Sequence, residues 1–259
     1  MNGIVGRTLG LVVIGLAATN LAQAGNGTVS LSPAVVMLQG QTGQSTKQTL
    51  TFMNGTSKPF AFEMMAKDVV VRDGKRVFVD AGALAGSIAA TAVFSRKQLT
   101  VPAGQNADID VTVTIPKQAA ARAVVIMCHS TTKFGSGPMQ MTASVGTLLT
   151  FSIAGDVIKA EATSLVVRAP TATANFAALQ QVSNSGTAPV VATGMLALLD
   201  AGGALVGRQP IPSWRMLPGE RTDMRVEYGG DLRPGRYRAL VTYDLTDKTL
   251  TSSAEFRVK

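Results

Sequence analysis

The chain has 259 residues, 46% of them hydrophobic and 15% charged, with a formal net charge of +8. That balance excludes a disordered polyelectrolyte, because apolar side chains are numerous enough to build a core. One Cys and one His exclude an internal disulfide and a multi-ligand His/Cys metal site.

The chain opens with Arg7, an apolar run from Leu9 to Ala18 and the small-x-small triplet Ala22-Gln23-Ala24 before Gly25. Residues 1–24 are therefore predicted to be a cleaved signal peptide. The apolar run falls short of the about 20 residues needed to cross a bilayer, and no Cys lies near the cut to carry a lipid. Removing 24 residues from 259 leaves 235, expected in the periplasm or at the cell surface, with no transmembrane segment.

Short alternating stretches then predict strands over 28–38, 46–53, 58–71, 76–80, 98–101, 107–115, 121–130 and 142–155. Asp73-Gly74 between two such stretches signals a tight hairpin, since both residues tolerate positive φ. Residues 81–94, AGALAGSIAATAVF, read as a short helix or loop inserted into the first unit. From Ala107 to Ile115, apolar residues alternate with Asp108, Asp110, Thr112 and Thr114 until Pro116 ends the strand. In the second half, strands are expected over 161–168, 175–182, 189–199, 204–209, 222–228, 236–244 and 251–258, with a short junction at Gly155 to Ala162.

Two phrases recur. The stretch Leu99 to Met127 and the stretch Met216 to Tyr243 share a Pro/Gly turn, an alternating strand, a second Pro-containing turn and Arg-Ala followed by apolar residues. TLTFMNGTSKPFAF around Asn54 is echoed by LQQVSNSGTAPVVA around Asn184. Self-similarity of this kind predicts two copies of one β-unit. With seven or eight short strands per copy, the fold class is all-β: two immunoglobulin-like β-sandwiches, residues 25–158 and 159–259, after the signal peptide.

Few residues point to chemistry, and no cofactor or metal is expected. Cys128 and His129 are neighbours on a predicted core strand, so they face opposite ways and do not form a nucleophile and base; Cys128 reads as a buried, inert thiol. Gly82 to Gly86 lacks the Lys-Ser/Thr pair of a phosphate loop. Asp108 and Asp110 share an outward strand face, where a solvated row is the simpler reading than acid/base work. Nothing near His129 resembles a nucleophile turn, so the chain reads as a non-enzyme.

Basic residues are mixed with acidic ones along the strands, which argues against nucleic acid as a partner. The densest basic run is Arg233, Arg236 and Arg238 in DLRPGRYRAL, a candidate contact for an anionic polymer such as a glycan, against the simpler reading of outward arginines on a half-exposed strand.

The run VSLSPAVVMLQGQTGQSTKQTLTFMNGTSKPFAF, with Ser32-Pro33, Gly43-Gln44 and Leu50-Thr51-Phe52 before Asn54, and later SIAATAVFSRKQLTVPAGQ before DVTVTIP, resembles bacterial exported tandem immunoglobulin-like proteins of the PapD-like periplasmic chaperone group. Its cadence is also similar to the WxL-interacting surface proteins. The resemblance implies a chaperone-like role in assembling pilus or surface subunits, in which the last strand of the first domain completes a subunit's sheet by β-augmentation. The matching segment is MTASVGTLLTFSIAGD, with Val145, Thr147, Leu149, Phe151 and Ile153 as the candidate partner-binding row. The same row equally suits the core of its own sandwich. The family's anchoring chemistry includes an Arg early in the first strand, whereas residues 25–46 contain neither Lys nor Arg. The partner implied is an exported protein subunit or surface protein; the alternative is an envelope module that holds another protein or a glycan polymer. If the signal is cleaved as predicted, intact-mass measurement of protein from the envelope fraction should give a chain beginning at Gly25, and a chain retaining Met1 would make the segment an anchor.

Overall fold

The computed structural model describes residues 28–131, 133, 142–245 and 248–259. The predicted signal peptide lies outside them. The chain divides into two compact units, one running through Val70 and from Phe78 to Gly155, the other comprising Val71–Val77 and Asp156–Lys259. Among the described residues regular structure is almost wholly strand, and each unit holds two sheets.

In the first unit, one sheet has the order β1 (Val29–Ser32), β3 (Ser45–Asn54), β8 (Asn106–Thr114), β6 (Val93–Phe94). The other has the order β2 (Val35–Gly40), β10 (Ser144–Ile153), β9 (Ala123–Ser130), β4 (Phe60–Arg72), β5 (Lys75–Asp80), with β7 (Gln98–Val101) also on β4. Their apolar faces meet in one core around Leu50, Phe52, Phe62, Ile109, Ile126 and Phe151. The rings of Phe52 and Phe62 lie 4.3 Å apart, close enough for dispersion and quadrupole terms to add to burial.

The single strand expected over 28–38 is two strands in different sheets. β1 pairs antiparallel with β3, and β2 pairs parallel with β10. Pro33 is the physical reason, because it has no N–H to give to a ladder and its φ is fixed. The Asp73-Gly74 hairpin forms as expected, with φ of 53° and 79°. The Ala-rich insertion is a 3₁₀ turn, Ala89–Thr91, leading into β6. It is held by Asp68, whose buried Oδ1 accepts the N–H groups of Ile88 and Ala89, each at 3.0 Å. Nothing local in the sequence marks Asp68 for this role.

In the second unit, one sheet centres on β13 (Phe176–Asn184), flanked by β16 (Arg221–Tyr228) on one edge and by β11 (Ala160–Ala162) and β12 (Val166–Arg168) on the other. The second has the order β15 (Leu205–Met216), β14 (Val190–Asp200), β17 (Gly235–Leu245), β18 (Lys248–Val258). The expected strand 161–168 is broken because its register on β13 shifts by one residue between Ala162↔Val182 and Val166↔Leu179, the mark of a bulge. The strand expected over 204–209 runs on to Met216 despite Pro210 and Pro212. β15 pairs only with β14, so an edge strand absorbs the missing N–H groups. Tyr237 at the start of β17 donates its hydroxyl to the Arg233 carbonyl at 2.7 Å, the tyrosine corner of immunoglobulin-type sandwiches.

The two repeated phrases meet in space in both units. Asn54, fully buried, gives its Nδ2 hydrogens to the carbonyls of Lys58 (2.9 Å), Val101 (2.9 Å) and Pro102 (3.1 Å). Its N–H donates to the Gln105 carbonyl, and its own carbonyl accepts from Gly104. Asn184 repeats this: Nδ2 donates to the carbonyls of Ala188 (2.8 Å) and Met216 (3.2 Å), its N–H to Glu220, and its carbonyl accepts from Gly219. Gly104 and Gly219 have φ of 70° and 80°, which turns their N–H groups toward the asparagines.

Replacing Asn54 or Asn184 by Ala should remove the two or three hydrogen bonds that the amide gives to these turn carbonyls. Each change is expected to cost roughly 2–3 kcal/mol, read as a lower denaturant midpoint at unchanged slope. A midpoint within experimental error of wild type would remove the asparagines from this role.

Candidate partner-binding edge and arginine cluster

β10 is paired along its whole length but on both sides only in its middle: β9 lies antiparallel along Ser144–Thr150, β2 lies parallel along Leu148–Ile153, and the two overlap at Leu148–Thr150. The side-chain row expected to face a partner faces inward. Leu149 and Phe151 are 0% exposed, Thr147 and Ile153 are buried, and Val145 is half-buried against the same core. The row is therefore core of its own sandwich, which corrects the expectation that these side chains await a partner. The physical reason is that a two-sheet sandwich of this size needs the inward row of every central strand.

What β10 leaves open is backbone. The Leu148 N–H donates to the Ala34 carbonyl, while the Phe151 N–H donates to the Arg122 carbonyl just before β9. On the β9 side, Ser130 N–H likewise donates to Ala143. Even-numbered residues of β10 thus turn their N–H and C=O toward the β2 side and odd-numbered ones toward β9. Since the β2 register begins at Val35↔Leu148, Ser144 and Gly146 present both groups to an edge with no strand among the described residues. Both are exposed. Sequence reasoning weighed side chains and missed these two. Pro33 was the available signal, because it fixes where the first strand can join the second sheet.

The outer face beside this edge is polar. Ser144, His129 and Glu63 stand in one cross-strand row, with Ser144 opposite His129 and His129 opposite Glu63. His129 Nδ1 and Ser144 Oγ are 2.8 Å apart. Cys128 points the other way into the core, with Sγ 3.2 Å from Met64 Sδ. Desolvation pushes its thiol up to about 12, so little thiolate exists at neutral pH. Asp108 and Asp110 lie on an outward ladder: Thr51 donates to Asp108 and Thr49 to Asp110, each at 2.7 Å. Hydrogen bonds from Lys47 and Thr49 hold the Asp110 carboxyl below its ordinary value.

In the second unit, Arg236 and Arg238 share the outer face of β17, as alternation predicts, while Tyr237 between them is buried. Arg233 lies in the preceding turn and is exposed. The structure thus brings Arg236 and Arg238 together without assigning Arg233 a side-chain role there. It adds Arg257, which stands directly opposite Arg236 on β18. Arg238 pairs with Glu255 at 3.1 Å. No group of three or more His, Cys, Asp or Glu placed to hold a metal occurs among the described residues.

The burial of β10 has a direct consequence. Leu149→Ser with Phe151→Ser should cost about 2–5 kcal/mol at each position through cavities and buried hydroxyls, so the double variant should fail to accumulate or melt far below wild type. A variant that melts like wild type would mean the row is not core.

Residues 37–153 match a family model described as an Fn3-like domain. No curated protein matches the chain in sequence. Among solved structures, the chain is similar to the class 5 fimbriae chaperone CfaA, with 12% identity, 90% of this chain and 100% of that one covered, and a TM-score of 0.47. It is similar to the E. coli chaperone DraB, with 14% identity, 90% and 98% coverage and a TM-score of 0.42. It is also similar to a structure of the Salmonella enterica SafA pilin in complex with the SafB chaperone, with 11% identity, 89% and 97% coverage and a TM-score of 0.41. In fold class the chain is thus all-β, with its sheets arranged as tandem sandwiches, the first carrying the Fn3-like match.

Proposed function

We propose that this protein is an exported, non-catalytic, chaperone-like factor that binds pilus or surface subunits by β-augmentation at the open edge of β10. The carrying observation is the pair Ser144 and Gly146, whose main-chain donors and acceptors face outward where β2 has not yet joined the sheet. An unpaired edge of this kind can pair with the open sheet of a chain that lacks a strand, with main-chain hydrogen bonds supplying affinity. The sequence resemblance to PapD-like chaperones supports the same partner class. The implied location is the periplasm or cell surface, and no helix among the described residues is long and apolar enough to cross a membrane.

The edge is testable with one substitution. Ser144 is the first residue of β10, a place where Pro is tolerated because the lost N–H is not part of the native ladder. Ser144→Pro should fold and melt close to wild type while its affinity for a strand-deficient exported subunit falls at least tenfold. Ser144→Ala, which removes only the hydroxyl bonded to His129, should bind like wild type. On complex formation, the amides of Ser144 and Gly146 should become protected from hydrogen exchange. Undiminished binding by a folded Ser144→Pro protein would overturn the reading.

A further inference from the structure

We propose that the outer face of β17 and β18 forms a binding site for a tetrahedral oxyanion, phosphate or sulfate, held between Arg236 and Arg257. The two residues are register partners on adjacent antiparallel strands, so their side chains leave the same face directly opposite each other. Both are exposed. Like charges in that position oppose pairing, and guanidinium groups do not relieve the repulsion by losing a proton. Among the described residues neither has an ion pair, whereas Arg238, two residues along, is matched with Glu255.

The pair borders a cleft of about 730 Å³ whose other wall is the turn from Asp200 to Gly203. Asp200 does not neutralise the arginines in the way Glu255 does. Its Oδ1 is taken by the N–H groups of Gly202 and Ala204, each at 2.9 Å. Arg236, Arg238 and Arg257 against Asp200 and Glu255 leave the cleft one positive charge in excess. A guanidinium is a planar fork, and two of them at register-paired positions suit an oxyanion that accepts hydrogen bonds from both. A free phosphate and a phosphate ester on a polymer present the same chemistry to the arginines.

Titration of the full chain with inorganic phosphate, against chloride at matched ionic strength, should show saturable binding and a rise in Tm specific to phosphate. Arg236→Gln and Arg257→Gln should each weaken binding at least tenfold and abolish that rise. In buffer free of phosphate, each should melt no lower than wild type, because the like-charge pair is gone. Arg233→Gln, outside the cluster, should bind like wild type. A phosphorylated oligosaccharide that binds more tightly than inorganic phosphate would assign the ligand to a polymer, and equal binding would assign it to the free ion. Absence of saturable phosphate binding, or an equal loss in Arg233→Gln, would overturn the proposal.

Discussion

The buried asparagines are the constraint on which both sandwiches rest. A β-sandwich must turn the chain between sheets, and each turn leaves carbonyls that no ladder satisfies. Asn54 and Asn184 solve this identically, each donating from its amide to carbonyls on its own turn and on a distant Pro/Gly-containing turn. Because the side chain is buried, these bonds do not compete with water. Each asparagine therefore fixes the distance between two strand pairs, and with it which apolar row of each strand meets the core.

That geometry makes the switch at Pro33 consequential. β1 closes one sheet of the first unit beside β3, and the chain then crosses to join the other sheet at β10. The crossing consumes Pro33 and Ala34, with the Pro33 carbonyl accepting from Thr147 Oγ1 and the Ala34 carbonyl from the Leu148 N–H. Among the described residues, the part of β10 before that point has a strand on one side only. An open edge of a few residues is thus a product of where one proline sits, and short edges of this kind resist indiscriminate pairing better than long flat ones.

Much of the fold was legible because it obeys period-2 alternation. The strands around 107–115 and 121–130, the Asp73-Gly74 turn and the tandem repeat all follow from local rules. The misses share one cause, that pairing partners are not local. Nothing in 28–38 alone says that its halves belong to different sheets, nor does the LQQVSN run disclose that the strand beside it bulges between Thr163 and Leu165. At the candidate sites, alternation places the row Val145 to Ile153 on a single face, but whether that face points to a core or a partner depends on which sheet lies above it. Arg257 was invisible beside Arg236 because they are 21 positions apart and meet only through the β17–β18 register. Asp68 escaped notice for the same reason, its acceptor role being set by an insertion folded back onto β4.

A strand that builds its own core can still serve a partner, because its two kinds of surface are orthogonal. Side chains of β10 leave perpendicular to the sheet, and its hydrogen-bonding groups leave within the sheet. Leu149 and Phe151 can be fully buried while Ser144 and Gly146 offer main-chain bonds sideways. Main-chain bonds alone discriminate poorly between incoming strands, so selectivity has to come from side chains flanking the edge. Here the neighbouring outer face is the polar row Ser144, His129 and Glu63 rather than an apolar one. On the inner face only Val145, half-buried, stands level with the opening. A strand added at this edge would therefore alternate, apolar beside Val145 and polar beside Ser144, which is the same period-2 rule that built the sandwich.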